Sequence, residues 1–214
     1  MDNFADVHTC FTKLIQRFTN EEERIAGLWS ELVDAYGNPG RYYHNLTHIR
    51  HMLSEAESAR DTINDYDSLL LAVFYHDVVY DPTSTTNEEN SVRFAKRHLL
   101  QLHVGTDQLH VVEAHILATK NHQQSTVADR NILLDVDLAI LGQPWPRYYI
   151  YVQAIRREYS MYSDPEYTAG RLAVLSTFLG KDAVYKTLPF RRRYEKQAQK
   201  NILTEYKMLT KIKI

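Results

Sequence analysis

Turn-forming residues are scarce in this chain, and that scarcity restricts its possible folds more than any other feature. The 214 residues include 7 glycines and 6 prolines, about 6% of the chain, whereas about 12% is usual. A chain this poor in turn residues favours helices. Apolar residues make up 44% and charged residues 24%, which is typical of a folded globular domain and excludes disorder as the dominant state.

Apolar residues recur at spacings of three and four, which is the helical period. The first such stripe runs from Phe4 to Phe18, and Asn20 with Glu23 suggests a capped start for the second helix. Asp164-Pro165 suggests another helix start. Run 132–141 suits strand or helix, and its helical surroundings favour helix. Further helices are predicted over residues 45–60, 66–79, 88–102, 108–120 and 190–214, with a break at 142–146.

Charge and cysteine content limit the partners and the compartment. The formal net charge is −2, so no overall basic field draws the chain to nucleic acid or anionic lipid, and we expect neither as a partner. The lone Cys10 cannot form an internal disulfide or a cysteine zinc site, which suits a reducing compartment. The N-terminal residues lack a secretory apolar segment, and the longest apolar stretch is far below the roughly 18 residues of a membrane span. We therefore expect a cytoplasmic protein.

Two segments carry histidines in positions suited to metal binding. His44 and His48 are four residues apart, so at helical spacing they share a face. His76-Asp77 interrupts an apolar run between residues 70 and 79. A carboxylate in apolar surroundings is costly unless something pairs with it, and a bound cation would be such a partner.

Two further segments complete the pattern. Asp135 and Asp137 lie within the apolar run 132–141, and His115, Lys120 and His122 form a weaker group near the end of another predicted helix. A histidine, a His-Asp pair and an aspartate on separate helices predict nitrogen and oxygen ligands around one divalent ion. Without thiolate, such a set suits Mn, Fe, Mg, Co, Ni or Zn. An ion of this kind acidifies bound water and polarises a phosphoryl oxygen.

This order of residues resembles the HD superfamily of metal-dependent phosphohydrolases, whose pattern is H…HD…D. The matching residues are His48, His76-Asp77 and Asp137. Segment 43–48 is also similar to the Y-H-N-x-x-H segment of cyclic-nucleotide phosphodiesterases, and segments 74–82 and 87–91 look like a small bacterial group of HD proteins. The resemblance covers about residues 20–210. It implies an all-α, single-domain HD-type helical bundle over 1–214, with a metal-binding core at about 43–142 and a C-terminal helical elaboration at about 146–214.

The resemblance also implies roles for these residues. His48, His76, Asp77 and Asp137 would bind one divalent metal ion, with Asp137 preferred to Asp135 because the second aspartate is the ligand in similar D-x-D segments. Metal-bound hydroxide would attack phosphorus in a small phosphate ester or nucleotide. Asp77 would orient the attacking water, and His44 would protonate the leaving oxygen.

Several positions keep more than one interpretation. Lys120, His122 and Arg157 are candidate substrate-binding residues, although a solvated helix charge is the simpler interpretation of Lys120 and Arg157. Segment 87–89 contains no histidine, so it does not predict a second His-ligated metal. The amphipathic C-terminal helix leaves a homodimer open. Four histidines without a partner pattern are interpreted as surface residues: His8, His98, His103 and His110.

Three other classes of protein remain as alternatives. A di-iron oxygenase of the HD type would need extra histidines, which His115 or His122 could supply, and it would bind two irons per chain. A non-catalytic nucleotide-binding HD module need not keep the whole ligand set and His44. A helical protein–protein adaptor would bind no metal tightly.

Overall fold

A computed structural model describes residues 4–211, and within that range the chain is helical and contains no β-strand. The all-α prediction is confirmed. No helix in this range is long and apolar enough to span a membrane. The helices are α1 (Ala5–Ile15), α2 (Glu22–Tyr36), α3 (Leu46–Ser58), α4 (Tyr66–Tyr75), α5 (Asn87–Gln101), α6 (Thr106–Ala118), α7 (Ala128–Asp137), α8 (Trp145–Glu158), α9 (Asp164–Leu179), α10 (Leu188–Phe190) and α11 (Lys196–Thr210).

The chain divides into two compact units, the first ending at Leu133 and the second starting at Leu134. The division falls within α7. Whether the whole chain behaves as one domain therefore stays a prediction.

Helix α4 is the centre of the first unit. It packs against α1, α3, α5 and α6, and every residue from Ser68 to Tyr75 is buried. A helix that is apolar on all sides belongs inside a protein rather than at its surface. The Asp65 side chain caps its start by accepting a hydrogen bond from the Ser68 backbone N–H at 3.0 Å. The residues that directly follow α4 therefore begin in the middle of the core.

In the second unit, α11 packs against α9 and against the 3₁₀ segment Leu138–Gly142. Arg171 and Glu205 form a buried ion pair with two hydrogen bonds of 2.7 and 2.9 Å. The Tyr148 hydroxyl donates to the same carboxylate. Since both charges are paired and hydrogen-bonded, the cost of burying them is offset.

Helix α4 ends earlier than its sequence pattern predicts, at Tyr75 instead of Val79. Side chains from distant parts of the sequence donate to carbonyl oxygens at this end and just after it. The Tyr36 hydroxyl donates to Phe74 O at 3.0 Å, and the Arg41 guanidinium donates to the carbonyl oxygens of Asp77 and Val78. His76-Asp77 consequently lies in a turn and not on a helix.

Other helix ends also differ from the predictions. The N-cap of α2 is Glu21 rather than Asn20. The N-cap of α9 is Ser163 rather than Asp164, and the Ser163 N–H donates to Glu166 at 2.9 Å. The predicted helix over 190–214 contains a π-helical segment, Arg191–Glu195, before α11. Residues 212–214 of that prediction lie outside the described residues.

Candidate metal centre

Two buried imidazoles face each other in the first unit. His48 lies in the first turn of α3, whose start is capped by Asn45 accepting from the Thr47 N–H at 2.9 Å. His76 follows α4 directly. Their side chains are 2% and 1% exposed, and their Nε2 atoms are 3.3 Å apart. The two rings therefore converge at one point in the core although 28 residues separate them.

The ring of His76 is oriented by the backbone. Its Nδ1 lies 3.0 Å from Val73 O, and a carbonyl oxygen can only accept, so Nδ1 carries the proton. The Nε2 of neutral His76 then has a lone pair, and this lone pair points towards His48. Metal-binding histidines commonly have such a carbonyl partner on the other ring nitrogen.

Asp77 brings a carboxylate to the same point. Its Oδ2 lies 3.0 Å from His76 Nε2 and 4.0 Å from the Nε2 atoms of His48 and His44. Asp77 and His44 are 17% and 20% exposed, so this side of the cluster is open to solvent. The first unit thus brings together four of the predicted site residues.

The separations of these donor atoms fit a single divalent ion. Ligand atoms that each lie about 2.1 Å from one ion are at most about 4.2 Å apart. The Nε2 atoms of His48 and His76 and the Oδ2 atom of Asp77 are separated by 3.0, 3.3 and 4.0 Å. Two imidazoles and a carboxylate suit a transition-metal ion.

Asp135 and Asp137 have different surroundings in the second unit. Asp135 is fully buried, and its two oxygens accept from Lys186 N, Thr187 N and Thr187 Oγ1, each at 2.7 Å. Burial raises the pKa of Asp135, and these hydrogen bonds oppose the rise. Asp135 therefore anchors segment 186–187. Asp137 is half-buried at the end of α7.

Lys186 is a cation within the field of both aspartates. Its Nζ donates to Val184 O at 3.1 Å. Burial lowers the pKa of Lys186 to about 8, while the charges of Asp135 and Asp137 act to raise it. The second unit thus places a positive charge that interacts with the two aspartates of α7.

Two of the three candidate substrate-binding residues, Lys120 and His122, lie beyond α6. Lys120 donates to Thr85 O at 2.7 Å and to Glu89 Oε1 at 2.5 Å. These contacts tie the loop before α5 and the first turn of α5 to the residues just after α6. His122 has a positive φ of 48° and is half-buried. Substrate binding by Lys120 and His122 stays a prediction.

The sequence did not indicate the positions or contacts of two residues, His98 and Arg41. His98, expected at the surface, is fully buried; it accepts from the Tyr75 hydroxyl at Nδ1 and donates to Glu31 from Nε2, both at 3.1 Å. Arg41 had no assigned role, yet it contacts the backbone of both His44 and Asp77. Because carbonyl acceptors leave no trace in a sequence, no local pattern could have pointed to Arg41.

Comparisons of the chain with protein-family models, with curated proteins and with solved structures return no match. The resemblance to the HD superfamily therefore stays a prediction.

Proposed function

We propose that the chain is a metal-dependent phosphohydrolase that acts on a small phosphate ester or nucleotide. One observation carries the proposal: the Nε2 atoms of the buried His48 and His76 converge with the Asp77 carboxylate within 4.0 Å. Two buried imidazoles that face a carboxylate at the solvent-open side are best explained by a cation that all three bind.

In this proposal His48, His76 and Asp77 are ligands, and Asp137 is the fourth. The choice of Asp137 over Asp135 has a physical basis in addition to the sequence pattern. Both oxygens of Asp135 already accept hydrogen bonds from segment 186–187, so using Asp135 as a ligand would cost those bonds.

The bound ion would supply Lewis acidity, which acidifies water and polarises a phosphoryl oxygen. The residues supply orientation and protons. Asp77, at the open side, would hold the attacking water and accept its proton. His44, whose Nε2 is 4.0 Å from Asp77 Oδ2, would donate a proton to the leaving oxygen, a task for which imidazole suits neutral pH.

The first test is elemental analysis of protein purified without chelator or nickel affinity resin. Asp77→Asn should lose the metal because it removes a ligand charge. Asp67→Asn is a matched control, since Asp67 lies in the same unit and pairs with Arg17 at 2.5 Å. Hydrolysis of p-nitrophenyl phosphate and of its bis-ester would be measured with each metal in turn.

About one transition metal per chain, absent from Asp77→Asn and retained by Asp67→Asn, together with metal-dependent hydrolysis, is the expected result. Two irons per chain and an iron chromophore would favour the oxygenase. Bound metal with no hydrolysis of any phosphate ester or nucleotide would favour the non-catalytic module. No metal even after incubation with Mn²⁺ or Mg²⁺ would rule out the proposal and favour the adaptor.

A further inference from the structure

His44 lies outside any helix, so helical hydrogen bonds do not hold it. It sits in the turn that leads into α3, where the Asn45 N–H donates to Tyr43 O at 2.8 Å. Asp77 sits in a second turn, the one after α4. The separation between His44 Nε2 and Asp77 Oδ2 therefore depends on what joins the two turns.

Arg41 joins them through the backbone. Its Nη1 donates to His44 O at 3.1 Å and to Asp77 O at 2.7 Å, and its Nη2 donates to Val78 O at 2.8 Å. One guanidinium thus binds three carbonyl oxygens from two segments that are more than 30 residues apart. Since the guanidinium is planar and rigid, the positions of its donors fix the relative positions of these acceptors.

Aromatic rings pack against both Arg41 and His44. The His44 ring stacks on Tyr80, with 4.2 Å between centroids and 30° between planes. The Arg41 guanidinium carbon lies 5.6 Å from the Tyr80 ring centroid and 5.1 Å from that of Tyr36. The cation and the imidazole therefore share Tyr80 as a packing partner, and cation–π attraction supports this arrangement.

We propose that Arg41 is a positioning residue, which holds the imidazole of His44 against Tyr80 and at a set distance from Asp77. The inference rests on the proposed function, because it is the proposed proton donation by His44 that makes this placement matter. A lysine at position 41 would not reproduce this arrangement, because the bonds of Arg41 come from two nitrogens held in one plane, whereas the donors of lysine all project from a single nitrogen.

The placement of His44 can be measured without any activity. The ring current of Tyr80 should shift the ring-carbon protons of His44 upfield in spectra of protein with labelled histidine, and His44→Gln assigns the signals. Arg41→Lys should lose this upfield shift. Arg24→Lys is the matched control, because Arg24 lies in the same unit and likewise donates to a backbone carbonyl, Gln101 O at 2.9 Å.

Kinetics test whether the placement serves the reaction. Arg41→Lys and Arg41→Ala should lower kcat by about tenfold to a hundredfold, the effect of a catalytic group displaced by about 1 Å, with little change in KM. In a His44→Ala background, removing Arg41 should cost much less, because the group that it positions is already gone. Metal content should stay at the wild-type level in Arg41→Lys.

A wild-type His44 spectrum in Arg41→Lys overturns the inference, whatever the activity. Full, additive losses from Arg41→Ala and His44→Ala also overturn it and leave the proposed function standing. Absence of hydrolysis in the wild-type protein refutes the proposed function instead, and the spectrum of Arg41→Lys still decides whether Arg41 positions His44. Circular dichroism identifies any variant that fails to fold, and Arg41→Lys is the milder of the two substitutions.

Discussion

His115 lies in the core of the first unit and should make its stability sensitive to acid. The side chain is 1% exposed, and among the described residues neither ring nitrogen has a hydrogen-bond partner. Burial, together with the charge of Arg130, lowers the pKa of His115 to about 4, although Asp129 and Asp65 oppose the shift. The folded protein therefore resists protonating this ring.

The sign and size of the effect follow from that pKa. As the pH falls below about 6.5, the unfolded chain takes up a proton at His115 before the folded chain does, so the folded state loses stability. The loss continues until about pH 4. A difference between 6.5 and about 4 corresponds to about 3 kcal/mol, which is a large share of a typical stability of about 5–15 kcal/mol.

The perturbation is His115→Leu, which keeps a similar volume and removes the titrating group. We expect the variant to be at least as stable as the wild type near pH 7, since two unsatisfied nitrogens are lost. Its advantage should grow by about 3 kcal/mol at pH 4. Urea denaturation at a series of pH values measures this difference, and His110→Leu, on the exposed part of the same helix, is the control. An advantage that is equal at pH 7 and pH 4.5 would refute the reasoning.

Three substitutions in the second unit test its packing by urea denaturation. Asp135→Asn should lower the free energy of unfolding by about 1–3 kcal/mol, because an amide has one acceptor oxygen for donors that now bind two; an unchanged value would contradict its anchoring role. Arg171→Met should cost about 3–5 kcal/mol, because Glu205 would stay buried without its cation, and a stabilised variant would show that the pair is dispensable. Gly142→Ala should lower the free energy of unfolding by about 1–3 kcal/mol, because the new Cβ would lie 2.5 Å from Tyr194 Cβ. Wild-type stability would mean that Tyr194 moves aside at little cost.

The sequence determined the secondary structure class and most of the helices. Apolar spacing located α1, α3, α5 and α6 to within a few residues, because burying one face of a helix requires that period. The run 132–141 proved helical, as its surroundings suggested. Helix ends were predicted less well, since a cap depends on which nearby side chain reaches a free N–H group, and several candidates often adjoin.

The sequence also indicated part of the candidate site. His44, His48 and His76-Asp77 stood out because imidazoles and a carboxylate in apolar segments require a partner, and the first unit brings these residues together. In the sequence, the choice of Asp137 over Asp135 as the last ligand depended only on the D-x-D pattern of similar segments. The structure adds a physical reason for it, because the carboxylate of Asp135 is already engaged by segment 186–187.

The tertiary structure alone decided how the two turns of the site meet. Local sequence predicts that helix α4 continues to Val79, whereas it ends at Tyr75. Donors from distant residues bind carbonyl oxygens around this end: the Tyr36 hydroxyl binds Phe74 O, and the Arg41 guanidinium binds Asp77 O in the turn that follows. The spacing of apolar residues indicates which face of a helix is buried, and this spacing is a property of the helix's own sequence. A backbone acceptor is the same at every position, so the partner of a carbonyl oxygen is set only when the folded chain brings a donor such as Arg41 within reach.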